Sequence, residues 1–487
     1  MQPAPGVPEI LVITVDTLRA DRLGFAGHTA AHTPNLDALA HTGRWFSQAT
    51  TPLPRTTPAL ASLHTGLWPH HHGAREVGDT IGPADTVASR LAAAGWRTLA
   101  ASAMQVAGPE QGMDRGFDTF HLAHDARADD LTSAALAMVR SDRDRPTFLW
   151  VHYADPHFPY LPPAGGPLNP DAPRCRRLIE AIEDRRIRRA AVYADRSGRA
   201  SDALADCRQL YDAEIAAVDH AIGTLLAEWR RARGTDGWTV LSADHGENQG
   251  EDGLFYEHGP NVHDASLVVP LVIAGPGVQP GRDDGVARLE DLLPTALGWA
   301  GVAPPQTLDG VDLRPRLAGG EGGPTLAFAE SGSALHATLF DYVVSGRARM
   351  YCVNGPRYSL CRSRRGEQTL HDQRSDPDLK HDLSATLPQV VAELQAVEKR
   401  WPPESARQRT VRSAHFKLVA TPHSSGEYRT ALYDLSDPAG RDVSDEQPEV
   451  LARLLDAMDV WDAPTPQTGA ERSDEELQML RELGYVE

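Results

Sequence analysis

Three separated stretches of this 487-residue chain carry side chains able to bind a cation and to move a charged group. The run LVITVD ends in Asp16, a carboxylate where a buried apolar strand opens to solvent. In PLPRTTPALASLHTG, Thr56, Thr57 and Pro58 precede a helix-compatible run that closes at Thr65-Gly66. A hydroxyl at a helix N-terminus meets backbone N–H groups and the positive end of the helix dipole, which suits a nucleophile that attacks an anionic group. In LSADHGEN, Asp244 and His245 leave a strand together and offer one hard oxygen and one imidazole nitrogen to the same ion. Each stretch has an ordinary alternative. Asp and Thr commonly cap helices, and Pro favours the first helical turn. An isolated Asp-His pair is weak, and its weight comes from the other two stretches.

The elements needed to gather these residues are legible. Apolar runs at 10–15, 98–101, 148–153, 238–242 and 270–274 read as buried strands, with helical patterns at 33–42 and 211–230 between them. Strands alternating with helices predict an α/β fold whose central sheet is mostly parallel and lies between helices. Chemistry collects at the carboxyl ends of such strands, where Asp16, Asp155 with His157, and Asp244 with His245 stand. After Leu317 the stretch AGGEGGP reads as a linker, so residues 1–317 are expected to form the catalytic domain and 318–487 a smaller α+β subdomain. That second part repeats itself weakly. A strand pair leads to Asp376-Pro377 or Asp437-Pro438, then Pro388 or Pro448 opens a helix that ends at Trp401 or Trp461. SDEELQMLRELGYVE begins with the capping pattern Ser473-x-x-Glu476 and predicts a last short helix.

Composition narrows the partners. A formal net charge of −19 argues against nucleic acid or an anionic membrane as the main partner, and an anionic substrate would need a metal or local arginines against that field. The only lysines are Lys380, Lys399 and Lys417. No apolar run is long enough to span a bilayer. The N-terminus shows no basic stretch followed by an apolar core, so the cytoplasm is the default; a periplasmic or secreted chain whose leader had been removed would look the same. Cys175, Cys207, Cys352 and Cys361 lack metal-ligand spacing; Cys352 and Cys361 flank a turn at Asn354-Gly355 and could pair across a hairpin. The basic stretch 174–189 reads as a solvated helix rather than an arginine lid. His70-His71-His72 reads as a structural turn, because consecutive residues point in different directions.

In this order, VDTLRADRLGFAGH, TPNLDALAHTGRWF, PLPRTTPALASLHTGLWPHHHG, GMDRGFDTF, VHYADPHFPY, YDAEIAAVD, SADHGEN, HDASLVVPLVIAGPG and LDGVDLRPRLAG resemble the sulfatase family of the alkaline-phosphatase superfamily. The resemblance implies an alkaline-phosphatase-like fold with Asp16, Asp244 and His245 as metal ligands. It also implies that His157 and His258 face the leaving-group and anionic oxygens. Thr17 stands where the family more often has a second acidic residue. Thr56 occupies the position of the Cys or Ser that becomes formylglycine, and threonine cannot become that aldehyde. Leu60 replaces the family's arginine, and Gly95-Trp96-Arg97 is the nearest trace of its Gly-Lys-x-His segment. The site is therefore similar to threonine members of the superfamily, such as lipoteichoic acid synthases and lipid phosphoethanolamine transferases. The expected activity is metal-dependent hydrolysis of sulfate or phosphate esters on a small molecule, glycan or lipid. One Zn, Mn or Ca ion is expected, with Thr56 as both nucleophile and ligand, and His157 or His258 protonating the departing oxygen. The alternatives are a phosphoryl-group transferase and a degenerate member that binds an anion without turnover.

Overall fold

Strands buried on both faces read as continuous apolar runs instead of alternating ones. EILVITV and TFLWVHY are of this kind, and every residue in both is buried. In the computed structural model they lie side by side at the middle of an eight-stranded sheet. The structure describes residues 9–462 except 140–144, 185–191, 193–197, 235–236, 333–336, 340–341, 348–349, 355–356, 364–366, 373–374, 377–380, 401–406 and 423–426. The expected final helix after Ser473, and Trp401, lie outside the described residues.

In chain order the first strands are β1 (Glu9–Val15), β2 (Arg44–Thr50), β3 (Arg97–Ser102), β4 (Thr119–Leu122), β5 (Thr147–Tyr153) and β6 (Trp238–Ala243). A hairpin of β7 (Asn248–Gln249) and β8 (Phe255–Glu257) follows, then β9 (Leu271–Ala274) and β10 (Gly281–Arg288). The large sheet runs β10-β2-β9-β6-β1-β5-β3-β4. β1 pairs in parallel with β5 and with β6, so the ends of these three strands open at one edge. β9 alone among the ten is antiparallel to its two large-sheet neighbours. This is the mostly parallel α/β architecture that the sequence predicts.

Helices pack against the sheet and against each other in two groups. Helix Arg199–Arg233 packs with Pro34–Thr42, Ala128–Val139 and Pro173–Glu183, whereas Thr56–Thr65 packs with Val87–Ala93 and Leu292–Trp299. Asp219, on the long helix, accepts hydrogen bonds from Asn35 N (3.1 Å) and Leu36 N (2.8 Å). It thereby satisfies the first free amides of its neighbour, as a capping side chain would. Cys175 and Cys207, which sequence spacing left without a role, form a disulfide between Pro173–Glu183 and the long helix.

Beyond Leu317 the strands are antiparallel. Ala327–Glu330, Arg409–Arg412, Phe416–Pro422 and Tyr428–Asp434 form a four-stranded sheet over Trp68, Phe328, Leu418 and Trp461. Five further strands, from Ala337–Leu339 to Gln368–Asp372, form a second sheet. Within it Cys352 and Cys361 are backbone register partners, and Cys361 is disulfide-bonded.

The four-stranded sheet is fastened to the large one by charge. Asp264 accepts from Lys417 Nζ at 2.6 Å and from Arg412 Nη1 at 2.7 Å. Burial alone would raise the Asp264 carboxyl, but the two cations outweigh it and hold the group well below the usual carboxylate range. A depressed carboxylate stabilises the fold above its unfolded value of about 4, and this contribution is lost as pH falls below that. Asp264→Asn leaves buried Lys417 without its anion and is expected to cost about 2 kcal/mol at pH 7. That is less than for a fully buried pair, because the Asp264 side chain is 38% exposed. In urea unfolding, the difference from the parent should shrink as pH falls below about 4.

Candidate active site

The parallel strands deliver the site. Asp16 follows the end of β1 and its N–H donates to Tyr153 O on β5 at 2.9 Å; Asp244 and His245 follow the end of β6. Thr56 is the first residue of a ten-residue helix in which every side chain is buried. These four residues, scattered over 230 positions of sequence, meet in one place. Thr56 Oγ1 lies 3.4 Å from His245 Nε2. His245 Nε2 lies 3.4 Å from Asp244 Oδ2 and 3.8 Å from Asp16 Oδ1.

The protonation pattern makes this cluster informative. His245 Nδ1 is 2.9 Å from Gly246 O, a pure acceptor, so Nδ1 carries the hydrogen and Nε2 presents its lone pair. Burial pushes the His245 imidazole down to about 3, so the ring is neutral. That lone pair faces two carboxylates, and Asp16 Oδ1, Asp16 Oδ2 and Asp244 Oδ2 are buried without a hydrogen-bond partner. Burial, reinforced by the Asp244 charge, raises Asp16 well above the carboxylate range; burial brings Asp244 up to about 6. Orphaned buried oxygens around a lone pair are costly unless a cation joins them. Ligand atoms of Asp16, Asp244 and His245 lie within 4.8 Å of one another, so the donor set fits a divalent ion with mixed oxygen and nitrogen ligands. The second ring nitrogen bonded to a backbone carbonyl is the usual support for a metal-binding histidine.

His258 and His157 join the group. The His258 ring stacks on His245 with centroids 4.2 Å apart, and His157 lies edge-on to His258 at 5.2 Å. Asp155, at the same strand end as His157, faces elsewhere: it accepts from Arg127 Nη1 at 2.9 Å and from Ala128 N at 3.2 Å, capping a helix. The triple histidine is structural, as the sequence suggests. His71 Nδ1 lies 2.6 Å from Asp309 Oδ2, and His72 Nε2 lies 3.0 Å from Ser62 Oγ.

One contributor acts otherwise than the sequence suggests, and another escapes a reading of it. Thr17, in place of an acidic residue, works through its backbone. It adopts φ 56°, its N–H donates to Asp244 Oδ1 at 3.2 Å, and its carbonyl accepts from Tyr211 Oη at 2.6 Å. Glu247, fully buried two residues after His245, lies 3.3 Å from His258 Nδ1 and accepts from Tyr160 Oη. The only signal in the sequence was a third acid-or-imidazole side chain in SADHGEN close behind Asp244 and His245.

Comparison with known proteins identifies the family and the fold. The family model Sulfatase matches residues 8–302. The choline-sulfatase of Rhizobium meliloti is 26% identical over 421 residues, covering 72% of this chain and 79% of that protein. The arylsulfatase of Clostridium perfringens is 24% identical over 449 residues, covering 76% of this chain and 89% of its own. Among solved structures, the phosphonate monoester hydrolase of Silicibacter pomeroyi superposes with a TM-score of 0.64 at 20% identity, covering 96% of this chain and 98% of that one. That last likeness is one of fold.

Elemental analysis of purified protein is expected to find one divalent ion per chain, and Asp244→Ala should lose it. A variant with the metal content of the parent would refute the ligand assignment. With the ion chelated away, Asp244→Asn should melt higher than the equally stripped parent at pH 8, because it removes the buried charge that Asp244 carries above about 6.

Proposed function

This chain belongs to the sulfatase family and is a hydrolase of sulfuric or phosphoric esters, and on that premise we propose that Thr56 is its nucleophile. The observation that carries the reading is the direction taken by two neighbouring hydroxyls. Thr56 Oγ1 turns to His245 Nε2 at 3.4 Å, into the cluster of Asp16 and Asp244. Thr57 Oγ1 turns the other way, donating to Val106 O at 2.7 Å and accepting from Gly78 N at 3.0 Å. One hydroxyl is committed to structure, and the other stands among the charged groups.

Asp16, Asp244, His245 and Thr56 would hold one divalent ion (Zn, Mn or Ca), which when bound supplies positive charge that eases ionisation of the hydroxyl and polarises the ester. The protein's own residues do the rest. Thr56 Oγ, its proton released to solvent, attacks the phosphorus or sulfur in line; an ester to Thr56 forms, the bond to the leaving oxygen breaks, and the alcohol departs. His258 gives the proton to the departing oxygen; Glu247 fixes its Nδ1, which leaves Nε2 as the atom facing the substrate. His157 stands behind it as the second imidazole of that wall. Water then cleaves the Thr56 ester. Substrates are anionic esters of small molecules, glycans or lipids.

Phosphorus is the preferred centre in this reading. A formylglycine hydrate releases sulfate by elimination, whereas the Thr56 side chain has no such route and must be freed by a second displacement. Turnover of a sulfate ester faster than every phosphate ester tested would end this part of the proposal.

Thr56→Ala should lower kcat by about a thousandfold or more while Asp16, Asp244 and His245 keep most metal affinity. Thr56→Ser keeps the hydroxyl and should retain measurable turnover. Thr57→Ala should cost about 1 kcal/mol of stability through its lost hydrogen bonds yet stay active. Activity surviving in Thr56→Ala but abolished in Thr57→Ala would move the nucleophile by one position.

A further inference from the structure

We propose that Arg55 is the group by which this active site grips the anionic oxygens of its substrate, a reading that rests on the hydrolase proposed above. Arg55 immediately precedes Thr56 in extended conformation (φ −147°, ψ 142°), and its side chain makes no capping bond to the helix that follows. The side chain is only 15% exposed, and its Nε is sealed from water without a hydrogen-bond partner. Desolvating a guanidinium is costly, so its position needs a compensating anion.

The protein supplies that anion poorly. The carboxylate facing Arg55 is Glu76, whose Oε2 lies 4.0 Å from Nε. Glu76 already receives Arg407 Nη2 at 2.7 Å. Glu330, the other acid of this group, takes a two-pronged contact from Arg75, with Arg407 Nη1 at 3.8 Å. Among the described residues, Arg55 thus shares Glu76 with Arg407 and holds it at the longer distance. A purely structural ion pair between Arg55 and Glu76 is the plain alternative, and both the 4.0 Å separation and the competing Arg407 speak against it.

The slot around Arg55 is shaped for it. A Cβ on Gly259 would stand 2.4 Å from Arg55 Nε, and one on Gly332 would stand 2.3 Å from the same atom. The two glycines are tied by Gly332 N donating to Gly259 O at 2.8 Å. Gly259 follows His258, so the guanidinium packs on the same loop that carries the proposed proton donor. Any side chain at either glycine would displace the guanidinium. A planar cation held between two backbones beside a nucleophile matches the geometry for receiving two oxygens of a phosphate or sulfate group. In a chain of net charge −19, it also gives the substrate a local reason to enter.

The test uses the full-length, metal-loaded protein with Arg55→Met, which keeps the stem in the slot, and Arg55→Lys, which keeps the charge without the fork. Calorimetry with inorganic phosphate should show at least about tenfold weaker binding in Arg55→Met, with Arg55→Lys between it and the parent. Hydrolysis of a nitrophenyl phosphodiester should fall about a hundredfold in kcat/KM, and added methylguanidinium should return part of the rate of Arg55→Ala, whose slot is vacated, which a packing role would not allow. Metal content and melting temperature should match the parent. Phosphate affinity unchanged in Arg55→Met, no phosphate binding by the parent, or loss of metal or fold in both variants would overturn the proposal. Turnover that depends on Thr56 but not on Arg55 would remove this inference alone. Phosphate binding that depends on Arg55 in a protein that hydrolyses no ester would instead remove the hydrolase reading and leave this one standing.

Discussion

Electron-rich atoms that repel one another are forced together at the end of β1 and β6. The His245 Nε2 lone pair, two carboxylates and the Thr56 hydroxyl converge with their side chains almost wholly buried. Nothing local favours this arrangement, so it must be imposed by elements whose own stability does not depend on it. The parallel pairing of β1 with β5 and β6 does that, since each strand is buried and locked in register over most of its length. The surrounding side chains can be understood as the restraints such a cluster requires. Thr17 N and His245 N hold Asp244, Gly246 O fixes the imidazole, and Tyr211 holds the strained turn at Thr17. In this sense the fold stores unfavourable electrostatics that a bound cation would relieve.

Much of this frame was legible in the sequence because buried parallel strands announce themselves. The apolar runs at 10–15 and 148–153 became Glu9–Val15 and Thr147–Tyr153, with ends moved by one residue at most. The helix expected at 211–230 proved longer, Arg199–Arg233. Half of its added first turns are polar, and only the spaced small set Ala200, Ala203, Cys207 and Leu210 is buried there. That sparse pattern becomes a helical face only once Pro173–Glu183 lies against it. The same packing brings Cys175 to Cys207, a pairing that no spacing rule could supply.

Candidate site residues divide along similar lines. Asp16, Asp244, His245 and Thr56 were visible because each sits at a strand or helix end, where position in the chain determines position in the fold. Glu247, Tyr160 and Arg55 were not singled out. Their roles depend on what stands opposite them, and Tyr160 meets Glu247 from a segment 87 residues away. Thr17 illustrates the remaining difficulty. Its side chain suggests a lost ligand, whereas its amide holds the ligand that remains.

The helix that begins at Thr56 has no exposed side, all ten of its residues being buried. That has a consequence for how such an enzyme diversifies. Mutations along this helix would be screened first for whether the chain folds at all, so the position of the nucleophile is inherited almost unchanged whatever the substrate. Novelty has to come from the exposed positions of the surrounding loops, such as Leu161 after the buried Phe158 and Tyr160. A lineage of this design would keep one reaction geometry while its choice of alcohol drifts, with foldability rather than chemistry setting the limit.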